Sequence, residues 1–305
     1  MWSWRAAAPS TIRCSAARCL DHHSRSRPAP ALIVSRAVKF GVYGLHKGEN
    51  TEPEAFARRA RAAEEAGFES IWVGDHIALP LDAPDDAYDA RLEAIVALAH
   101  LAAVTEHVRL GLGVIILPQR QPVLLAKQLT SIDRLSGGRL TVGFGVGYLK
   151  AELGALGATL AERGARTDES LAAIRMLWDE PVPEFDGRFV SFSNVIQRPR
   201  PVQLPHPPIV IGGDSPAALR RAREAGGWYG WEQAPQDVAA VRERLGPDVE
   251  ITITPGPPGP LDPELARRYA EAGVTRLVLQ PPVTTGAAMD ELIAATRDTL
   301  IGSTP

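Results

Sequence analysis

Two adjacent residues, Asp75 and His76, have the types and the placement for proton chemistry. They follow the apolar run Ile71-Trp72-Val73-Gly74, so a strand delivers them at its carboxyl end. An imidazole that titrates near neutrality can donate or accept a proton at a reacting centre. The adjacent carboxylate is expected to orient it and to support its charged form. The competing reading is a loop histidine packed against prolines. A second stretch, Gly212-Gly213-Asp214-Ser215-Pro216, leads from an apolar run into a helix. Glycines let a backbone approach an oxyanion, and a helix start supplies unpaired N–H groups. An ordinary turn with a serine cap would read the same. Gly143, Gly145 and Gly147 alternate along one strand, and Tyr148 follows them. They fill a tight packing layer, or they leave a flat surface for a planar ring, or both. Arg120 suits either a structural ion pair or a contact to an acidic ligand. Metal chemistry is not signalled. His46, His76, His100, His107 and His206 are scattered, with no His-x-His or His-Glu-x-x-His spacing. No Gly-x-Ser-x-Gly nucleophile elbow is present in the folded region.

The positioning elements follow from the hydrophobic pattern. Leu110 to Leu117 is an apolar run of strand length, Val123 to Leu135 repeats at helical spacing, and Leu140 to Val146 is apolar again. Such a strand–helix–strand unit makes a right-handed parallel crossover. Similar units recur. Strands are expected at 38–44, 70–74, 208–212, 228–231, 249–254 and 276–280. Thr51 and Glu54 have capping-box spacing for a first helix that stops at Gly67. Residues 149–207 break the alternation and read as an insertion over the site, with a helix near 166–178 and a hairpin around Asp186-Gly187. Eight strands with their helices predict a (β/α)8 TIM barrel, an α/β fold whose site lies at the strands' carboxyl ends. A doubly wound sheet is the alternative. Its dinucleotide fingerprint is missing from the first turn, Gly41 to Gly48.

The 305 residues are 45% hydrophobic, enough for one large domain. Residues 1–37 stand apart. Of the chain's 33 basic and 36 acidic residues, six arginines and a single acid fall there, together with both cysteines. This segment is expected to be a disordered or mis-annotated extension, with Val38 as the true start, or else a targeting segment. The domain 38–305 then carries a net charge of −8 and no cysteine, which excludes thiol nucleophiles and disulfides from it. No electrostatic reason exists to expect nucleic acid, and no apolar run spans a membrane.

One ordered set of residues extends the inference: Leu117-Pro118-x-Arg120-x-Pro122, Leu125-Ala126-Lys127, Asp133-x-Leu135-Ser136-Gly137-Gly138-Arg139, and Gly143-x-Gly145-x-Gly147. It resembles the luciferase-like monooxygenase family, in particular the branch that uses the deazaflavin coenzyme F420. The resemblance implies that His76 lies over the reactive ring with Asp75 in contact. It implies a bulge with a cis peptide at Gly113-Val114 behind the ring, and Gly145, Gly147 and Tyr148 beside it. It places Ile211, Gly212, Gly213 and Ser215 about the cofactor phosphate and adds Trp231 to the cofactor-binding set. Tyr148 stands where the glucose-6-phosphate dehydrogenase branch has an acid, which argues against that substrate and makes Tyr148 a second proton donor. Gly226-Gly227-Trp228 likewise departs from the family's Asp-Gly-Trp. The implied activity is hydride transfer between F420 and a small organic substrate in a cytoplasmic homodimer. One alternative is an FMN-dependent monooxygenase served by a separate flavin reductase. The other is a non-catalytic deazaflavin carrier.

Overall fold

The structure is a computed structural model that describes residues 38–81 and 90–302. The expectations for residues 1–37 lie outside the described residues.

The chain order is β1 (Lys39–Tyr43), α1 (Pro53–Glu65), β2 (Ser70–Val73), α2 (Ala94–Val104), β3 (Arg109–Leu112), β4 (Ile115–Ile116), α3 (Pro122–Leu135), β5 (Leu140–Gly145), α4 (Lys150–Ala155) and α5 (Arg163–Asp179). It continues with β6 (Phe185–Asp186), β7 (Ser191–Phe192), β8 (Ile209–Gly212), α6 (Pro216–Ala225), β9 (Gly227–Trp231), α7 (Pro235–Leu245), β10 (Glu250–Thr254), α8 (Pro263–Glu271), β11 (Arg276–Leu279) and α9 (Gly286–Thr296). Among the described residues, eight parallel strands run β3-β2-β1-β11-β10-β9-β8-β5, and pairing of β3 with β5 closes the ring. The two-residue β4 continues β3 beyond a break and pairs with β5. This is the (β/α)8 barrel expected from the alternation.

Strand periodicity divides the core. Ile71, Val73, Leu110 and Leu112 pack outward with Leu98, Leu101, Leu125 and Leu129 of the helices. Tyr43, Trp72, Val210, Tyr229 and Val278 form a separate cluster, with Val114 packed against it. At the amino ends of the strands, Arg276 binds Glu69 and Glu250, each at 2.8 Å. The carboxyl ends therefore form the open mouth. Among the described residues no helix is long and apolar enough to cross a membrane.

Three local features depart from or add to the reading of the sequence. Thr51 does not cap α1: its hydroxyl donates to Gly48 O, closing a 3-10 turn over Gly48–Thr51, and Glu52 precedes the helix without a side-chain cap. The hairpin is wider than a two-residue turn, because Glu169 draws in the N–H groups of Arg188, Phe189 and Val190. The insertion also holds α4, a helix too short and glycine-bearing to show helical periodicity.

Candidate active site

β2 delivers Gly74, Asp75 and His76 to the mouth, as the sequence predicts, but the two side chains part. Asp75 turns into the protein. Its Oδ2 accepts from Ile116 N at 2.9 Å, and its Oδ1 takes the Arg120 guanidinium. Arg120 also reaches Glu93 at 2.6 Å. Burial pushes the Asp75 carboxyl above its ordinary range, against the pull of Arg120 and the Ile116 N–H. Of the two readings of Arg120, the ion pair is present. The expectation that Asp75 supports the His76 imidazolium is overturned, because both carboxylate oxygens are committed to β4 and Arg120.

His76 has another carboxylate. Its Nδ1 lies 2.8 Å from Glu152 Oε2. Glu152 sits on α4, only 1% exposed, and its Oε1 accepts from Ile77 N at 2.5 Å and Ala78 N at 3.4 Å. Burial alone would raise its pKa; the bonds from His76 and the two backbone N–H groups outweigh this and hold the carboxyl below the usual range. Sequence reasoning missed Glu152. The signal was its place four residues after Tyr148, on the segment leaving the glycine-rich strand. Tyr148 stands edge-on to the His76 ring, with centroids 5.9 Å apart, and is 61% exposed. Arg163 of α5 donates to Gly147 O at 2.7 Å and ties down this corner.

The folded-state pKa of Glu152 lies below its unfolded value, so its stabilisation is full above the ordinary carboxylate range and fades as pH falls through the lower folded value. Glu152→Ala leaves the Ile77 N–H without its acceptor. It should cost about 1–3 kcal/mol near neutrality. The gap to wild type should narrow as pH falls below the ordinary carboxylate range, where the ionic part is lost. Urea melts at several pH values measure it; a pH-independent gap would contradict the ionic role.

β1, paired with β2, supplies the adjoining wall. Tyr43 is 5% exposed and packs edge-on with Trp231 at 5.1 Å and His46 at 5.2 Å. Burial pushes its phenol up to about 12, with Arg91 pulling the other way, so it remains a proton-bearing donor at neutral pH. His46 Nε2 accepts from Gly74 N at 3.0 Å, and burial drives its pKa well down. That ring is neutral and structural.

The floor is Val114. The Gly113-Val114 peptide is cis, as expected. A Cβ on Gly145 would meet Val114 Cγ2 at 2.6 Å, one on Gly212 would meet Val114 Cγ1 at 3.1 Å, and one on Gly147 would meet Ile116 at 2.6 Å. The space over Gly145 and Gly147 is therefore filled by protein. A ring laid directly on these glycines is overturned; they seat Val114 and Ile116, and partly exposed Val114 presents the apolar surface instead.

Gly212 to Ser215 ends β8 and opens α6. Ser215 Oγ accepts from Ala218 N at 3.2 Å, and Gly213 O accepts from Trp228 Nε1 at 2.7 Å. Gly213 has φ +97°, where a side chain is strained. Earlier N–H groups of such a helix lack intrahelical partners, which suits an anion. The Ile211 side chain is buried in the main core, which leaves only its backbone to face the mouth. Trp231 is 40% exposed at the rim. His76, Tyr148, Val114, Tyr43 and Trp231 thus stand on strand ends or the segments leaving them, with the α6 start on the same face.

The family model described as luciferase-like monooxygenase matches residues 38–249. An uncharacterized protein of Mycobacterium tuberculosis is 33% identical over 254 residues, covering 74% of this chain and 86% of the relative. The FMNH(2)-dependent dimethylsulfone monooxygenase of Pseudomonas putida is 32% identical over 173 residues, covering 56% of this chain and 46% of the relative. The coenzyme F420-dependent tetrahydromethanopterin reductase of Methanopyrus kandleri superposes with a TM-score of 0.69 at 17% identity, covering 87% of this chain and 99% of that one. The last likeness concerns the fold alone. With the motif over Leu117–Gly147, the closed barrel and the family match across most of the chain, this protein belongs to the luciferase-like monooxygenase family.

Proposed function

We propose that the protein is a coenzyme F420-dependent oxidoreductase acting on a small organic substrate. The observation that carries this reading is a histidine backed by a buried carboxylate, facing a mouth with an apolar floor. The residues fit a planar, phosphate-bearing group. Val114, Tyr43 and Trp231 would hold the ring, and Gly212, Gly213 and Ser215 would hold the phosphate. A bound deazaflavin supplies or accepts the hydride. His76 then takes or gives the substrate proton, and Tyr148, exposed beside it, is the second candidate donor. The apolar floor keeps water from one side of the site.

The Pseudomonas putida relative favours a second reading, an FMN-dependent monooxygenase fed by a partner reductase. Oxygen electrode traces separate the two. The first reading expects no enzyme-dependent oxygen uptake with reduced FMN; rapid saturable uptake would transfer the assignment to the second.

The phosphate site is tested at Ser215, since φ at Gly213 would confuse any substitution there with backbone strain. Ser215→Asp keeps a capping side chain and sets a negative charge beside the anion site. Ser215→Asn keeps the cap without the charge. The aspartate should weaken F420 and FMN binding by about tenfold, a loss of about 1–2 kcal/mol, and the asparagine much less. Equal affinities in both variants would remove the site from α6.

A further inference from the structure

The bond between His76 and Glu152 decides more than the position of a ring. A carboxylate has no proton to give, and a neutral imidazole has one donor and one acceptor nitrogen. With Nδ1 at 2.8 Å from Glu152 Oε2, Nδ1 is the donor, and in the neutral form of the ring Nε2 holds the lone pair. We propose that Glu152 is a positioning residue that fixes the Nδ1–H tautomer of His76, so that Nε2 is the atom that accepts a proton from the substrate and returns it.

Three features separate this from simple loop capping. First, the carboxylate divides its work: Oε1 takes Ile77 N and Ala78 N, while Oε2 takes His76. The backbone bonds anchor the carboxylate, so it cannot swing away from the ring. Second, Glu152 is 1% exposed, so water does not compete for Oε2. Third, Tyr148 packs edge-on to the ring. A ring flip would replace Nδ1 with a carbon at Glu152 and forfeit the bond. Tyr148 and Glu152 flank the start of α4, so a single short segment sets both the tautomer and the orientation. The arrangement matches the way a second group orients a catalytic or metal-bound imidazole elsewhere.

The inference rests on the reading in which His76 exchanges a proton with substrate, but its test uses neither cofactor nor substrate, so the two fail separately. The full-length protein is labelled with 15N-histidine, and ring correlations are recorded at about pH 8.5, where an ordinary histidine is neutral. The His76 signals are assigned by their loss in His76→Gln. The wild-type ring should carry its proton on Nδ1. In Glu152→Gln, the amide oxygen can still accept from Ile77 and Ala78, but its NH2 group faces the ring. The tautomer should then reverse to Nε2–H while the melting temperature stays near wild type. A wild-type ring protonated mainly on Nε2 overturns the proposal, and so does a glutamine variant that keeps Nδ1–H. Should that variant fail to fold, the wild-type spectrum alone still decides.

Discussion

His76→Ala should lower the chemical rate by about 10²–10⁴-fold, the usual worth of a positioned proton-transfer group. Affinity for cofactor should change only a few-fold, because Val114, Trp231 and the start of α6 are untouched. The pH–rate profile should lose one limb. Single-turnover kinetics on F420, beside a binding titration, separate the two effects. Normal turnover in the variant would move the proton to Tyr148, and lost cofactor binding would make His76 a binding residue. A carrier without catalysis would show no functional change at all. Asp75→Asn has a different expected signature. Asp75 is tied to Ile116 N and to the Arg120–Glu93 pair, so its loss should loosen the strand behind Val114. It should weaken binding and stability and leave the His76 tautomer intact.

The second large effect concerns the glycine strand and is one of stability. A Cβ on Gly143 would lie 1.9 Å from the Leu112 carbonyl oxygen. That oxygen is backbone and cannot rotate away, so Gly143→Ala should cost about 3 kcal/mol or more, the upper end for overpacking. Gly145→Ala meets only the end of Val114, at 2.6 Å. Its cost should fall when Val114→Ala is added, giving a favourable coupling in a double-mutant cycle. Gly143→Ala should show no such rescue. Chemical denaturation of the wild type, the three single variants and the two double variants with Val114→Ala measures both. A tolerated Gly143→Ala, or additive Gly145 and Val114 effects, would show that these glycines do not seat the bulge.

Hydrophobic period and punctuation revealed the barrel, since each strand buries both faces and each helix one. Leu140–Gly145 and Pro122–Leu135 fall within a residue or so of expectation. The Asp75-His76 pair and the α6 start were legible because strand ends face the mouth. Partnership was not legible. Asp75 and His76 are neighbours in sequence, yet beyond the end of β2 they take different partners, Ile116 and Arg120 for one and Glu152 for the other. Glu152 comes from a segment 76 residues away, on a helix of only six residues. The use of Gly145 and Gly147 as seats depends on where Val114 and Ile116 return across the sheet, which no local pattern records.

The most direct measurement is an equilibrium titration of the purified protein with F420 and, separately, with FMN, followed by absorbance and fluorescence. Saturable binding of F420, tighter than FMN and weakened in Ser215→Asp, is the expected result. Tight binding of FMN with no binding of F420 would contradict the deazaflavin assignment, and binding of neither would remove the barrel mouth as a cofactor site.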